Sequence, residues 1–106
     1  MYKISFYVPT SHLEKVKDAL FIAGAGRIGK YDRCSWQCPG EGQFRPLAGS
    51  QPALGRQDVI ERVVEYKVEL VCSEAHIQAA ISALKAQHPY EKPAFDVVKI
   101  IDTFHP

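Results

Sequence analysis

The densest chemistry in this chain of 106 residues lies in six consecutive positions, His88-Pro89-Tyr90-Glu91-Lys92-Pro93. An imidazole and a carboxylate this close are a common donor pair, so His88 and Glu91 together could hold a cation or a polar ligand. The two prolines fix the backbone around them and make the segment rigid. A structural reading stands beside the chemical one: His88 suits the negative end of a helix dipole, Pro89 ends the helix, and Tyr90 buries its ring. Arg45 and Arg56 lie in a stretch rich in glycine and proline. They could meet an anion there, or pair with Glu41 or Asp58 at the surface.

Two other groupings resemble known sites only partly. Cys34-Ser35-Trp36-Gln37-Cys38 sets two thiols four residues apart, whereas a redox pair is separated by two residues and a zinc site needs two more ligands. Structural or incidental thiols fit this spacing better. Gly24-Ala25-Gly26-Arg27-Ile28-Gly29 looks like a phosphate-cradling loop, but such loops follow a strand and open a helix. Here the glycines follow a helix, where they serve as caps. His12 and His76 are expected as exposed first-turn residues, and Glu61 and Glu65 as strand residues facing solvent. Spacing yields no Ser-His-Asp or Cys-His-Asn set, so no catalytic residue, cofactor or metal centre is assigned.

The elements that position these residues follow from an internal echo at a spacing of 64. Tyr2-Lys3-Ile4-Ser5-Phe6 aligns with Tyr66-Lys67-Val68-Glu69-Leu70, and His12, Leu13, Ala19 and Leu20 fall on His76, Ile77, Ala83 and Leu84. In the first copy Tyr2, Ile4, Phe6 and Val8 alternate with polar residues as a half-buried strand does, and Pro9 stops it. Ser11 and Glu14 have capping-box spacing, so a helix is predicted to start there. Its apolar stripe is Leu13, Val16, Leu20 and Ala23, closed by Gly24 in the left-handed position. In the second copy the strand face is Val64, Tyr66, Val68, Leu70 and Cys72. Ser73 is placed to cap a helix with stripe Ile77, Ala80, Ile81 and Leu84, stopped at Pro89. Residues 94–101 read as the last strand, and about 27–36 as the second.

Two strand–helix–strand units give βαββαβ, a ferredoxin-like α+β sandwich with strands one and three central in a four-stranded antiparallel sheet. The helices cover one face. Tyr7, Val71 and either Val98 or Val97 are the apolar candidates on the other, and an apolar patch there would mark a partner, first of all a second copy of the chain. Residues 37–58 form a long arm that an ordinary turn does not need. Phe44, Leu47 and Leu54 are its expected anchors, making it an ordered excursion.

Composition sets the outer bounds. Hydrophobic residues at 46% and charged residues at 24% fit one ordinary globular domain spanning 1–106. A net charge of +1 gives no basic excess for nucleic acid. No apolar run is long enough to cross a bilayer, and the start of the chain lacks a signal-peptide pattern. Three cysteines, an odd number, are expected as reduced thiols, which places the chain in the cytoplasm.

Four motifs in order, Gly24 to Asp32, Cys34-Ser35-Trp36, Gly42-Gln43-Phe44-Arg45-Pro46 with Gly49 and Pro52, and His88-Pro89-Tyr90-Glu91, resemble the YqfO-type domain of the Nif-three-like proteins over nearly the whole chain. That domain is itself similar to the CutA and PII trimers. The resemblance implies a ferredoxin-like fold, trimerisation through the open sheet faces, and an arm where PII-like proteins carry a ligand-responsive loop. The family's dinuclear metal ligands lie in flanks that these motifs do not include, so neither the metal nor a cyclohydrolase activity carries over. The expectation is a non-enzymatic, homotrimeric binding or regulatory module. The alternative is a small-ligand or divalent-metal protein with a site between subunits, drawn from Arg27, Arg45, His88, Tyr90 and Glu91.

Overall fold

The computed structural model describes residues 1–103. The elements run β1 (Tyr2–Pro9), α1 (Leu13–Ile22), β2 (Trp36–Phe44), β3 (Glu61–Cys72), α2 (Ile77–Gln87) and β4 (Phe95–Lys99). The sheet order is β2-β3-β1-β4 and every neighbouring pair is antiparallel. The ferredoxin-like α+β layout is therefore the one the duplicated pattern predicts, with strands one and three in the middle.

Directly paired residues share a sheet face. Ile4 lies between Leu70 and Val97, and Phe6 between Val68 and Phe95. This face packs on Leu13, Val16 and Leu20 of α1 and on Ile77, Ala80 and Leu84 of α2 to form the core. Phe6 is fully buried, and truncating such a ring to alanine costs about 3–5 kcal/mol.

Both helices start later than predicted. The Ser11 hydroxyl bonds the His12 ring at 2.8 Å, and Ser73 bonds the His76 ring at 2.8 Å. Neither serine caps a helix, because each hydroxyl is taken by the neighbouring imidazole. The end of α1 follows expectation. Gly24 N–H donates to Phe21 O and Ala25 N–H to Leu20 O, both at 3.0 Å, with Gly24 at φ +108°. The His76 ring lies against Gly24 so closely that a Cβ there would collide with it.

The second strand is displaced from its predicted place at 27–36. Most of those residues, with Gly24 to Gly26 before them, form a crossing in which Gly26 N–H donates to Val71 O and Ile28 bridges Tyr31. The strand is Trp36–Phe44, the first part of the predicted arm. An edge strand tolerates Pro39, Gly40 and Gly42 because one side of it makes no ladder bonds.

The face away from the helices carries Tyr7, Val71 and Val98, as expected, with Val98 the register chosen. Val71 is buried, whereas Tyr7 and Val98 are exposed, and Val97 faces the core. Between them runs an ionic row, with Glu69 bound by Lys3 at 2.8 Å and by Lys67 at 3.0 Å. The face is therefore mixed in character.

Strand β1 last pairs at Pro9 with Glu65, while β2 and β3 continue together to Phe44 and Glu61. Four residues of β3 thus overhang the sheet as a two-stranded ribbon, about 13 Å long at the rise of a strand. The molecule is correspondingly elongated, 51 × 24 × 22 Å. No helix among the described residues is long and apolar enough to cross a membrane.

Candidate functional site

The site is built where the overhanging ribbon meets the turn after α2. His88 ends α2 with its N–H on Leu84 O, then leaves the helix at ψ 137° ahead of Pro89. Its ring is buried and fully engaged. Nε2 lies 2.7 Å from Tyr7 O, which can only accept, and Nδ1 accepts the Tyr90 N–H at 3.1 Å. These partners require the neutral ring with its proton on Nε2. Burial holds the His88 pKa below its ordinary value, opposed by the bond to Tyr7 O. Neither nitrogen is left for a metal or ligand, so His88 positions the turn.

Tyr90 sits between His88, at 5.0 Å between ring centroids, and Phe44, at 6.0 Å. This aromatic row ties the end of α2 to the ribbon. Beyond Phe44 the chain continues as residues 45–60, ordered by Ser50 Oγ donating to Leu47 O and Asp58 N–H to Pro46 O, both at 2.6 Å. Gln51 N–H then donates to the Glu91 carboxylate at 3.0 Å and joins the arm to the turn.

Between arm and turn lies a cleft of about 430 Å³. Arg45, Leu47, Pro52 and Leu54 form one wall, Glu91, Lys92 and Ala94 the other, and Phe44, Glu65 and Tyr90 the inner end. Of the expected anchors Phe44 is half-buried against Tyr90, whereas Leu47 and Leu54 are exposed and Pro46 is the buried residue of the arm.

Glu65 is turned inward, contrary to the expectation that it faces solvent. Its carboxylate lies over Gly42, where a Cβ would overlap it, because Gly40 and Gly42 leave that stretch of β2 without side chains. Burial raises the Glu65 pKa. The Tyr90 hydroxyl is shielded from water and pushed up to about 12, by burial first and then by the Glu65 charge. The two groups are near enough to shift each other's titration. Among the described residues the hydroxyl nevertheless has no hydrogen-bond partner.

Of the residues singled out from sequence, the fold brings Arg45, Tyr90 and Glu91 together at this cleft, with His88 one layer behind. Arg27 stands apart. It follows Gly26, which is bonded to Val71, six positions along β3 from Glu65 and so about 20 Å away. Arg45 and Arg56 do not form the predicted surface pairs, since Arg62 takes Glu41 at 3.9 Å and neither arginine makes an ion pair among the described residues. Glu65, Lys92 and Phe44 were missing from the sequence reading of the site. The period of β3 could have put Glu65 opposite the core face, but only the true position of β2 brings Gly40 and Gly42 beside it.

No protein-family model matches the chain. It is 47% identical over 95 residues to a Mycobacterium leprae protein named "GTP cyclohydrolase 1 type 2 homolog", matching 90% of this chain and 25% of that protein. The chain thus spans about a quarter of the length of such relatives. Among solved structures, a Bacillus cereus protein related to NIF3 superposes with a TM-score of 0.76 at 38% identity, over 91% of this chain and 24% of that one. The periplasmic divalent cation tolerance protein CutA from Archaeoglobus fulgidus superposes at 0.66 with 17% identity, over 94% and 84%, which shows the shared fold. The chain is therefore a relative of a segment of NIF3-related proteins and has the CutA fold, as the four motifs implied.

Proposed function

We propose that this relative of the NIF3-related proteins is a non-enzymatic binding module of the cytoplasm that assembles as a homotrimer and takes a small ligand in the cleft between arm and turn. The observation that carries the assembly is the overhanging ribbon. A two-stranded ribbon alone is marginal in water. This one and the arm beyond it expose Leu47, Leu54, Val59, Ile60 and Val64, while the open sheet face exposes Tyr7, Trp36 and Val98. A second copy covering the ribbon would remove these side chains from water and brace the arm. The CutA fold supports the same reading.

The cleft supports the binding role. Its volume is within the usual range for small-molecule sites, and it combines apolar walls with a few charged groups. The name GTP cyclohydrolase 1 type 2 homolog is carried by relatives about four times this length, and a cyclohydrolase activity is not proposed for this chain. A divalent-metal role is not favoured either, because His88 has both nitrogens engaged. Arg27 could join the cleft only from a neighbouring copy.

Static light scattering on the whole chain tests the assembly. A mass three times 11.9 kDa is expected, falling toward a single chain for Val64→Glu. A monomer at micromolar concentration would remove the basis of the proposal.

A further inference from the structure

Resting on the reading of the cleft as a ligand site, we infer that its ligand is an amphipathic organic anion, an apolar or aromatic body bearing one carboxylate. The placement of the charged side chains on the walls points there. Arg45 comes from the arm and Lys92 from the turn, so two cations face the cleft from opposite sides, and neither makes an ion pair among the described residues. The acidic groups of the cleft are placed elsewhere. Glu91 is held by the Gln51 N–H and Glu65 lies against Gly42 at the inner end, so neither carboxylate forms an ion pair with Arg45 or Lys92.

Two cations lining a small cleft without an ion-pair partner attract an anionic group, and arginine offers a carboxylate two parallel N–H donors. The remaining lining fixes the other half of the ligand. Phe44, Pro46, Leu47, Pro52, Leu54 and Ala94 present carbon to the cavity. A free inorganic anion would leave that surface wet, and a neutral apolar molecule would leave both cations unpaired. A dication would meet Arg45 and Lys92 directly. An apolar acid satisfies both halves at once, with its carboxylate between Arg45 and Lys92 and its body along the leucines and Phe44.

Isothermal titration calorimetry of the whole chain with 3-phenylpropionate, indole-3-acetate and octanoate tests this, alongside the neutral amide of each acid and inorganic phosphate. At least one acid is expected to bind, its amide roughly tenfold or more weaker, because a charge-assisted contact is lost. Arg45→Gln and Lys92→Gln should each weaken that acid by about tenfold, while Arg56→Gln, on the arm but off the cleft, should not. Leu54→Asp should abolish binding. The inference is overturned if no acid binds up to about 10 mM, if an amide binds as well as its acid, or if phosphate binds as tightly as any of them. Light scattering on the same samples separates the two proposals. A trimer that ignores the acids overturns the ligand class alone, and a monomer that binds them overturns the assembly alone.

Discussion

The backbone amide of Gln51 donates to the Glu91 carboxylate at 3.0 Å, joining the arm to the turn after α2 across forty positions of sequence. This hydrogen bond links the two walls of the cleft, and it lies at the surface. A charged acceptor strengthens such a bond, while water at an exposed site weakens it. Glu91→Ala should therefore raise hydrogen exchange at the Gln51 amide by about tenfold and leave global stability within about 0.5 kcal/mol of wild type. Unchanged exchange would show that the bond does not hold the arm.

His88 gives a pH signature. Burial keeps its folded pKa below the ordinary 6.5, so the unfolded chain takes the proton first as pH falls. Its contribution is complete above about 6.5 and is lost as pH drops through 6.5 toward the folded value. Urea unfolding at a series of pH values between 7.5 and 5 should show this decline, and His88→Gln should flatten it. His88→Ala strands Tyr7 O and the Tyr90 N–H and should cost about 2–4 kcal/mol at neutral pH.

Glu65 acts in the opposite sense. Its folded pKa is raised above the ordinary 4.5 by burial, so the folded chain holds that proton more tightly. The resulting stabilisation is present below 4.5 and lost as pH rises through the folded value. Glu65→Gln should remove this slope from unfolding curves measured between pH 4 and 7, and a slope that survives the change must come from another group.

Tyr90 separates the ring from its hydroxyl. The ring links His88 to Phe44, whereas the hydroxyl is buried without a well-formed hydrogen bond. Tyr90→Phe should be neutral or stabilising by up to about 1 kcal/mol in chemical unfolding, and Tyr90→Ala destabilising by about 3 kcal/mol. A large loss in the phenylalanine variant would mean that the hydroxyl has a real partner in Glu65.

These residues also show how much of the molecule its sequence discloses. The core was legible because Ile4, Phe6, Val68 and Leu70 repeat with strand period in two copies 64 residues apart. The end of α1 was legible because Gly24 must adopt a left-handed backbone. The second strand was not. Residues 27–36 resemble the counterpart of β4 by position in the repeat, but most of them, with Gly24 and Gly26 before them, serve the crossing, and an edge strand can include Pro39, Gly40 and Gly42. Misplacing β2 hid the inward turn of Glu65, which depends on the bare backbone opposite it. Arg45, Tyr90 and Glu91 were found from local chemistry, while Lys92 and Phe44 gained their roles only when the arm folded back over the turn. His88 was open to both readings, and its two hydrogen bonds favour the structural one.

Small-angle X-ray scattering of the intact chain at micromolar concentration tests the central claim most directly, since it reads mass and extent together. A single protomer has a radius of gyration of 14.9 Å. Ribbons braced by neighbouring copies should give forward scattering for three chains and a clearly larger radius, both independent of concentration. Scattering that fits one chain of about 15 Å radius would contradict the assembly and leave the ribbon without its cover.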